Sequence, residues 1–262
     1  MTSARDGMKE LIEYLRRLAP RFFAERMRGA SADQIDSVEQ AAGARLTDSH
    51  REFLAACGMT PAQALNPFLT DRDFGVPALL RAYEEWSETT EETGDTLPPG
   101  VVVFSNSDIL GEYIYLRHEA RLDIDPEIGD IDPETGEFGV KPERHLLNFL
   151  QYFAFTFRMA QGKHILELVP YWDAERERFV GDADATWQLL MQLGLEPVFS
   201  FEDGSRCADG GALAAVVQHD GSGMISGDDM KYLRRAEIVL HRSLDIRIVP
   251  VPEDSRSRAA RE

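Results

Sequence analysis

The chain has 262 residues, 46 acidic against 28 basic, for a net charge of −18, and 43% of its residues are hydrophobic. That length suits one large domain or two small ones with a real core, and the charge argues against nucleic acid and anionic membrane as partners and in favour of a basic protein. Cys57 and Cys207 are in no C-x-x-C or zinc spacing and read as buried reduced thiols; no apolar leader follows the start and no apolar run approaches the ~20 residues of a membrane span, so the expected compartment is the cytoplasm.

Residues 1–28 read as a helix pair, with Met8, Leu11, Ile12, Leu15 and Leu18 at helical spacing and Pro20 as the break. Ser31 and Gln34 have the form of a capping box. Ile35, Val38 and Ala42 make the stripe of the helix that follows, and Gly43 is its stop. A third helix is expected from Asp48 to Cys57, with Phe53 and Leu54 in the core and Gly58 at its end. Short β runs follow at 101–104, 113–116, 128–131 and 137–140, the last two flanking a turn from Asp132 to Gly136. A long apolar helix is expected from Glu143 to Met159, carrying Leu146, Phe149, Leu150, Phe153 and Phe157. Beyond Gly162 the pattern predicts a helix over 184–193, a strand over 196–201, a helix over 228–243 and a strand over 246–251. The fold class is therefore α+β, a mainly antiparallel sheet flanked by helices, with a C-terminal α+β extension or second small domain. The expected segments are an N-terminal helical stretch at 1–30, an α+β domain at 31–162, an α+β unit of unassigned role at 163–252 and a frayed tail at 253–262.

Within residues 31–160, Ile35 to Glu39 has an I-x-x-x-E form, and a Leu46-Thr47 step precedes Phe53-Leu54 and Gly58. Gly111-Glu112-Tyr113-Ile114 follows, and then an acidic hairpin from Gly129 to Val140 and a helix with Leu146 and Leu150. This set resembles the SUKH superfamily, which includes bacterial immunity proteins and a yeast cell-wall-synthesis regulator. Thr47 stands where that family usually has proline, and Gly58 alone where a Gly-Gly pair is usual. The resemblance implies an α+β sheet domain whose members bind proteins, often toxins, and it brings no catalytic residues to carry over.

Acidic residues concentrate between Glu84 and Glu137, where sixteen carboxylates face only Arg117 and Arg121, a net −14 of the chain's −18. Two readings stand, a solvated face or a patch that steers a basic partner. The candidate binding residues are Asp123, Asp125, Asp130, Asp132 and Glu112, with Tyr113 and Tyr115 as aromatic anchors. Ordinary half-buried packing is the alternative for those rings and for Tyr83 and Trp86. A calcium loop counted from Asp130 fails, because its sixth position is Thr135 and its twelfth Lys141. No histidine pair has zinc spacing, His219-Asp220 are neighbours rather than a dyad, and Gly221-Ser222-Gly223 suits a turn. No metal, no cofactor and no catalytic residue is expected. The expectation is a non-catalytic protein-binding module, an immunity protein neutralising a cognate basic toxin such as a nuclease. The alternatives are a general regulatory or scaffold interaction protein and a metal-assisted hydrolase.

Overall fold

The computed structural model describes residues 3–60, 73–93, 96–107, 112–118, 121–132, 135–173, 178–244 and 246–251, and the chain divides into two units, Met1–Ala154 and Phe155–Glu262. In the first, Ser3 caps α1 (Ala4–Leu18) by accepting the Asp6 amide, and Met8, Leu11 and Ile12 are buried where α1 packs against α4. The short α2 (Pro20–Glu25) opens on its proline, as the fixed φ of that ring favours. The capping box forms on α3 (Ala32–Ala42), with the Ser31 and Gln34 side chains each bonded to the other's amide. Gly43 then ends the helix at φ +62°, a left-handed conformation that costs glycine nothing.

Glu39 explains the fixed spacing to the next element. Its carboxylate accepts the Leu46 amide at 2.9 Å and pairs with Arg51 at 2.6 Å, pinning the Leu46-Thr47 step to α4 (Asp48–Cys57). Thr47 is buried as N-cap at φ −65°, the value a proline ring would impose. Helix α5 (Val76–Thr93) packs against α3 and against β1.

The four β runs expected from the sequence form one antiparallel meander, in the order β1 (Val101–Ser107), β2 (Glu112–Arg117), β3 (Glu127–Ile131) and β4 (Phe138–His145). A bulge between Val103 and Ser105 gives Phe104 no partner in β2, which frees it to turn into the core. Its ring contacts Phe53, Phe74 and Phe149 at centroid distances of 5.7, 5.0 and 6.4 Å. The open edge of β1 is occupied. The Val103 amide donates to the Tyr83 hydroxyl at 2.9 Å, and Asp73 and Asn106 exchange backbone hydrogen bonds.

Helix α6 (Leu146–Gln161) begins three residues later than its apolar pattern suggested, because β4 runs on to His145. Leu146, Phe149 and Leu150 are buried as expected, whereas Phe153 is only half-buried, its ring 4.7 Å from that of Phe149 and 5.8 Å from that of the exposed Tyr152.

The second unit holds an antiparallel sheet in the order β11-β5-β10-β9-β8-β7, with β6 paired to β5. Its strands are β5 (His164–Asp173), β6 (Arg178–Val180), β7 (Glu196–Ser200), β8 (Arg206–Asp209), β9 (Leu213–Val217), β10 (Gly223–Gly227) and β11 (Ile246–Pro250). Gly221, at φ +81°, makes the β9–β10 turn. Helices α7 (Ala183–Gln192) and α8 (Met230–Ser243) cover the sheet with Trp187, Leu190, Leu233 and Leu240, which join Leu168, Ala215, Val217 and Ile225 in one core.

Candidate protein-binding face

Alternation along β2 divides its side chains. Ile114 and Leu116 are buried toward the core, and Tyr113, Tyr115 and Arg117 point to the other face of the sheet. Across the strands, Tyr115 pairs with Gly129 and Gly129 with Val140, while Arg117 pairs with Glu127. This outer face has an aromatic floor. The Trp86 ring meets Tyr115 edge-on at 6.3 Å, Tyr115 lies 6.0 Å from Tyr113, and the Arg117 guanidinium stacks 4.6 Å from the Phe138 centroid. Gly129 is what lets Phe138 lie flat here, since a Cβ at that position would come within 2.7 Å of the ring and 2.2 Å of the Gly139 carbonyl oxygen. Val140, 41% exposed, continues the apolar surface toward the sheet edge.

Carboxylates rim this floor. The Tyr113 hydroxyl donates a short hydrogen bond to Glu85, and the Arg117 Nε donates to Glu127 at 2.9 Å. Tyr113 is half-buried. Tyr115 is buried, at 5% exposure, so of the two expected anchors only Tyr113 presents its ring to solvent. Burial raises the Tyr115 hydroxyl to about 12, against a hydrogen bond from Trp86 that lowers it and with the nearby Asp130 charge raising it further. Tyr115 thus acts as a neutral support beneath Tyr113.

The four aspartates that look alike in sequence have different surroundings. Asp123 is exposed and paired with Arg121 at 2.6 Å, which holds its carboxyl below the usual range. Asp130 is exposed and bonded to Lys141 Nζ at 2.6 Å. Asp125 accepts the Leu147 amide at 2.8 Å and so caps the start of α6 from a distant loop. Asp132 accepts the Thr135 amide at 3.0 Å and closes the β3–β4 turn. Glu112 opens β2 opposite Ser107. Sequence reasoning missed Glu84, Glu88 and Glu91 as a distinct feature. They are exposed on α5 at i, i+4, i+7 spacing, a periodicity visible in the sequence but counted there only as charge.

Beside this face, Arg117, His118, Arg121, Asp125, Glu127 and His145 line an open cleft of about 670 Å³. Both signs of charge meet in it. Among the described residues no three His, Cys, Asp or Glu side chains are placed to hold a metal ion. Cys57 and Cys207 are buried free thiols, and burial pushes both well above their ordinary range, away from the nucleophilic thiolate. Asp220 is turned into its own loop, where its Oδ1 accepts the Ser222 amide and hydroxyl at 2.9 and 2.6 Å. No helix among the described residues is long and apolar enough to cross a membrane.

Helices packed on a four-stranded antiparallel meander, with aromatic rings and carboxylates on its outer face, make the first unit an α+β module. Residues 29–137, which hold α3, α4, α5 and β1 to β3, match the model of the SMI1 / KNR4 family (SUKH-1). The match is consistent with a protein-binding module of the immunity type. A search of curated proteins found no match to the chain.

Proposed function

We propose that the outer face of the first sheet docks a basic protein, and that the chain is a cytoplasmic, non-catalytic immunity protein that neutralises a basic toxin such as a nuclease. The observation that carries this reading is Tyr113, half-exposed with its hydroxyl held by Glu85 and its ring set over the neutral, buried Tyr115. A rigid aromatic held in this way loses little side-chain entropy on binding, and the Glu85 carboxylate beside it offers a basic partner complementary charge, Glu127 and Asp130 being paired already with Arg117 and Lys141. The net charge of −18 speeds encounter with such a partner, and the ring sets how long the complex lasts. Asp123 and Asp130 belong to the rim in this reading, whereas Asp125 and Asp132 hold the fold. The SUKH-1 match supports the same class of role.

The test uses the full chain as bait in its native lysate, beside Tyr113→Ala and Asp130→Lys. The expected result is one stoichiometric basic partner, depleted with either variant, whose toxicity on expression is relieved by the wild-type chain. A partner held equally by all three proteins would place the binding surface elsewhere.

A further inference from the structure

Helix α8 carries a surface opposite in charge to the rest of the chain. Leu233, Ala236 and Leu240 are buried against its sheet. The other side of the helix, at i, i+3/i+4, i+7 and i+11 spacing, presents Lys231, Arg234, Arg235, Ile238 and Arg242, all exposed. Among the described residues, none of these four cations forms an ion pair, and Glu237 is the helix's one acidic side chain. Ile238 is 50% exposed, with Met230 at 37% and Tyr232 at 46%, and a shallow groove of about 440 Å³ runs past Met230, Arg234 and Ile238. The aliphatic stems of the arginines widen the apolar strip around Ile238 while their heads stay charged.

The complementary surface is on the same polypeptide. Glu84, Glu88 and Glu91 line one side of α5, all exposed and, among the described residues, in no ion pair. Glu84 to Glu91 and Lys231 to Ile238 each cover the same stretch of helix, about 10 Å at 1.5 Å per residue. The two stripes are matched in length and opposed in sign.

We propose that α8 of one copy of this chain docks on α5 of a second copy, with Arg234 and Arg235 against Glu84 and Glu88 and with Ile238 covered. The inference does not depend on toxin binding. It carries a distinctive salt dependence. Two copies of net −18 repel at long range when the Debye length is about 30 Å, near 0.01 M salt. At physiological salt, about 8 Å, that repulsion is screened while contacting pairs keep their attraction; near 1 M, at about 3 Å, the pairs weaken as well. Association should therefore be strongest at intermediate salt.

Sedimentation equilibrium of the full chain, over a wide concentration range at these three salt levels, tests it. At physiological salt the mass should rise with concentration above the 29.5 kDa of one chain. Arg234→Glu/Arg235→Glu and Glu84→Arg/Glu88→Arg should each lower the association constant by about tenfold or more. Mixing the two variants should restore it, because one then supplies an intact α8 and the other an intact α5. All four positions are exposed, and circular dichroism is the check that both variants fold. A 29.5 kDa species at every concentration, association indifferent to both reversals, or folded variants that fail to complement would each overturn the proposal. Capture of a basic partner by the sheet face should be unaffected by Arg234→Glu/Arg235→Glu, so the two readings fail separately.

Discussion

Arg158 holds Asp209 through two parallel hydrogen bonds, Nε to Oδ2 at 3.0 Å and Nη2 to Oδ1 at 3.1 Å, with the two side chains only 9% and 14% exposed. Nη2 also donates to the Gly211 carbonyl at 2.8 Å, and Asp209 Oδ1 accepts the Gly211 amide at 2.9 Å. The pair thus fixes the β8–β9 turn to the C-terminal half of α6. Removing one partner leaves the other's charge buried with only its Gly211 hydrogen bond, which costs up to about 3–5 kcal/mol for a buried pair. Arg158→Met and Asp209→Ala should each lose stability on that scale in urea titrations. Arg158→Lys should recover little of it, because an ammonium cannot reproduce the planar fork.

The core of the first unit should respond to position. Phe149→Ala empties a buried site beside Phe104 and should cost about 3–5 kcal/mol. Phe153→Ala, one turn later and half-buried, should cost less. Equal losses for the two in denaturant titrations would contradict this division.

His50 is fully buried against Phe104, and among the described residues neither ring nitrogen has a hydrogen-bond partner. Burial, and secondarily the neighbouring His118, lowers it from its ordinary 6.5 to about 3. Between those values the unfolded chain takes a proton that the folded chain refuses. Stability from this group is therefore complete above 6.5 and falls as pH drops toward 3, by about 1.4 kcal/mol per unit. His50→Leu removes that slope. The difference between wild type and variant should shift in the variant's favour between pH 7 and pH 5; a constant difference would show that the site does not exclude the proton.

The proposed docking face should separate rate from lifetime. Against a recovered partner in surface plasmon resonance, Asp123→Lys and Asp130→Lys should lower the association rate and its salt sensitivity. Tyr113→Ala should raise the dissociation rate, by an amount corresponding to about 2 kcal/mol if the ring is a central anchor. Asp125→Ala and Asp132→Ala should act on the fold instead. Loss of the α6 cap at Asp125 should cost on the order of 1 kcal/mol in thermal melts.

Local signals carried the first unit well. The Ser31–Gln34 box, the Gly43 stop and the β run at 113–116 each follow from signals within a few residues, and all are present. The second unit was less legible. Leu213 to Val217 is an unbroken apolar run, buried through most of its length, with no period to distinguish it from helix. Arg206 to Asp209 is four residues with charged ends. Such strands are specified by their neighbours in the sheet. The same limit applied at the candidate face. Nothing in the sequence marks Asp130 as the partner of Lys141, or Asp125 as the cap of a helix more than twenty residues away, because both relationships exist only once β3, β4 and α6 meet.

The occupied margin of the first sheet also bears on how any ligand can be held. At β1, the amides of Val103 and Asn106 are already spent on Tyr83 and Asp73. At the opposite margin, β4 contains Pro142, which has no amide hydrogen to offer. Strand addition, in which a guest peptide extends a sheet through its backbone, would therefore meet an interrupted ladder at both margins among the described residues. A partner docked as proposed would be held by side chains on the face of the sheet. The selectivity of that docking can accordingly be altered one residue at a time without rebuilding the backbone beneath.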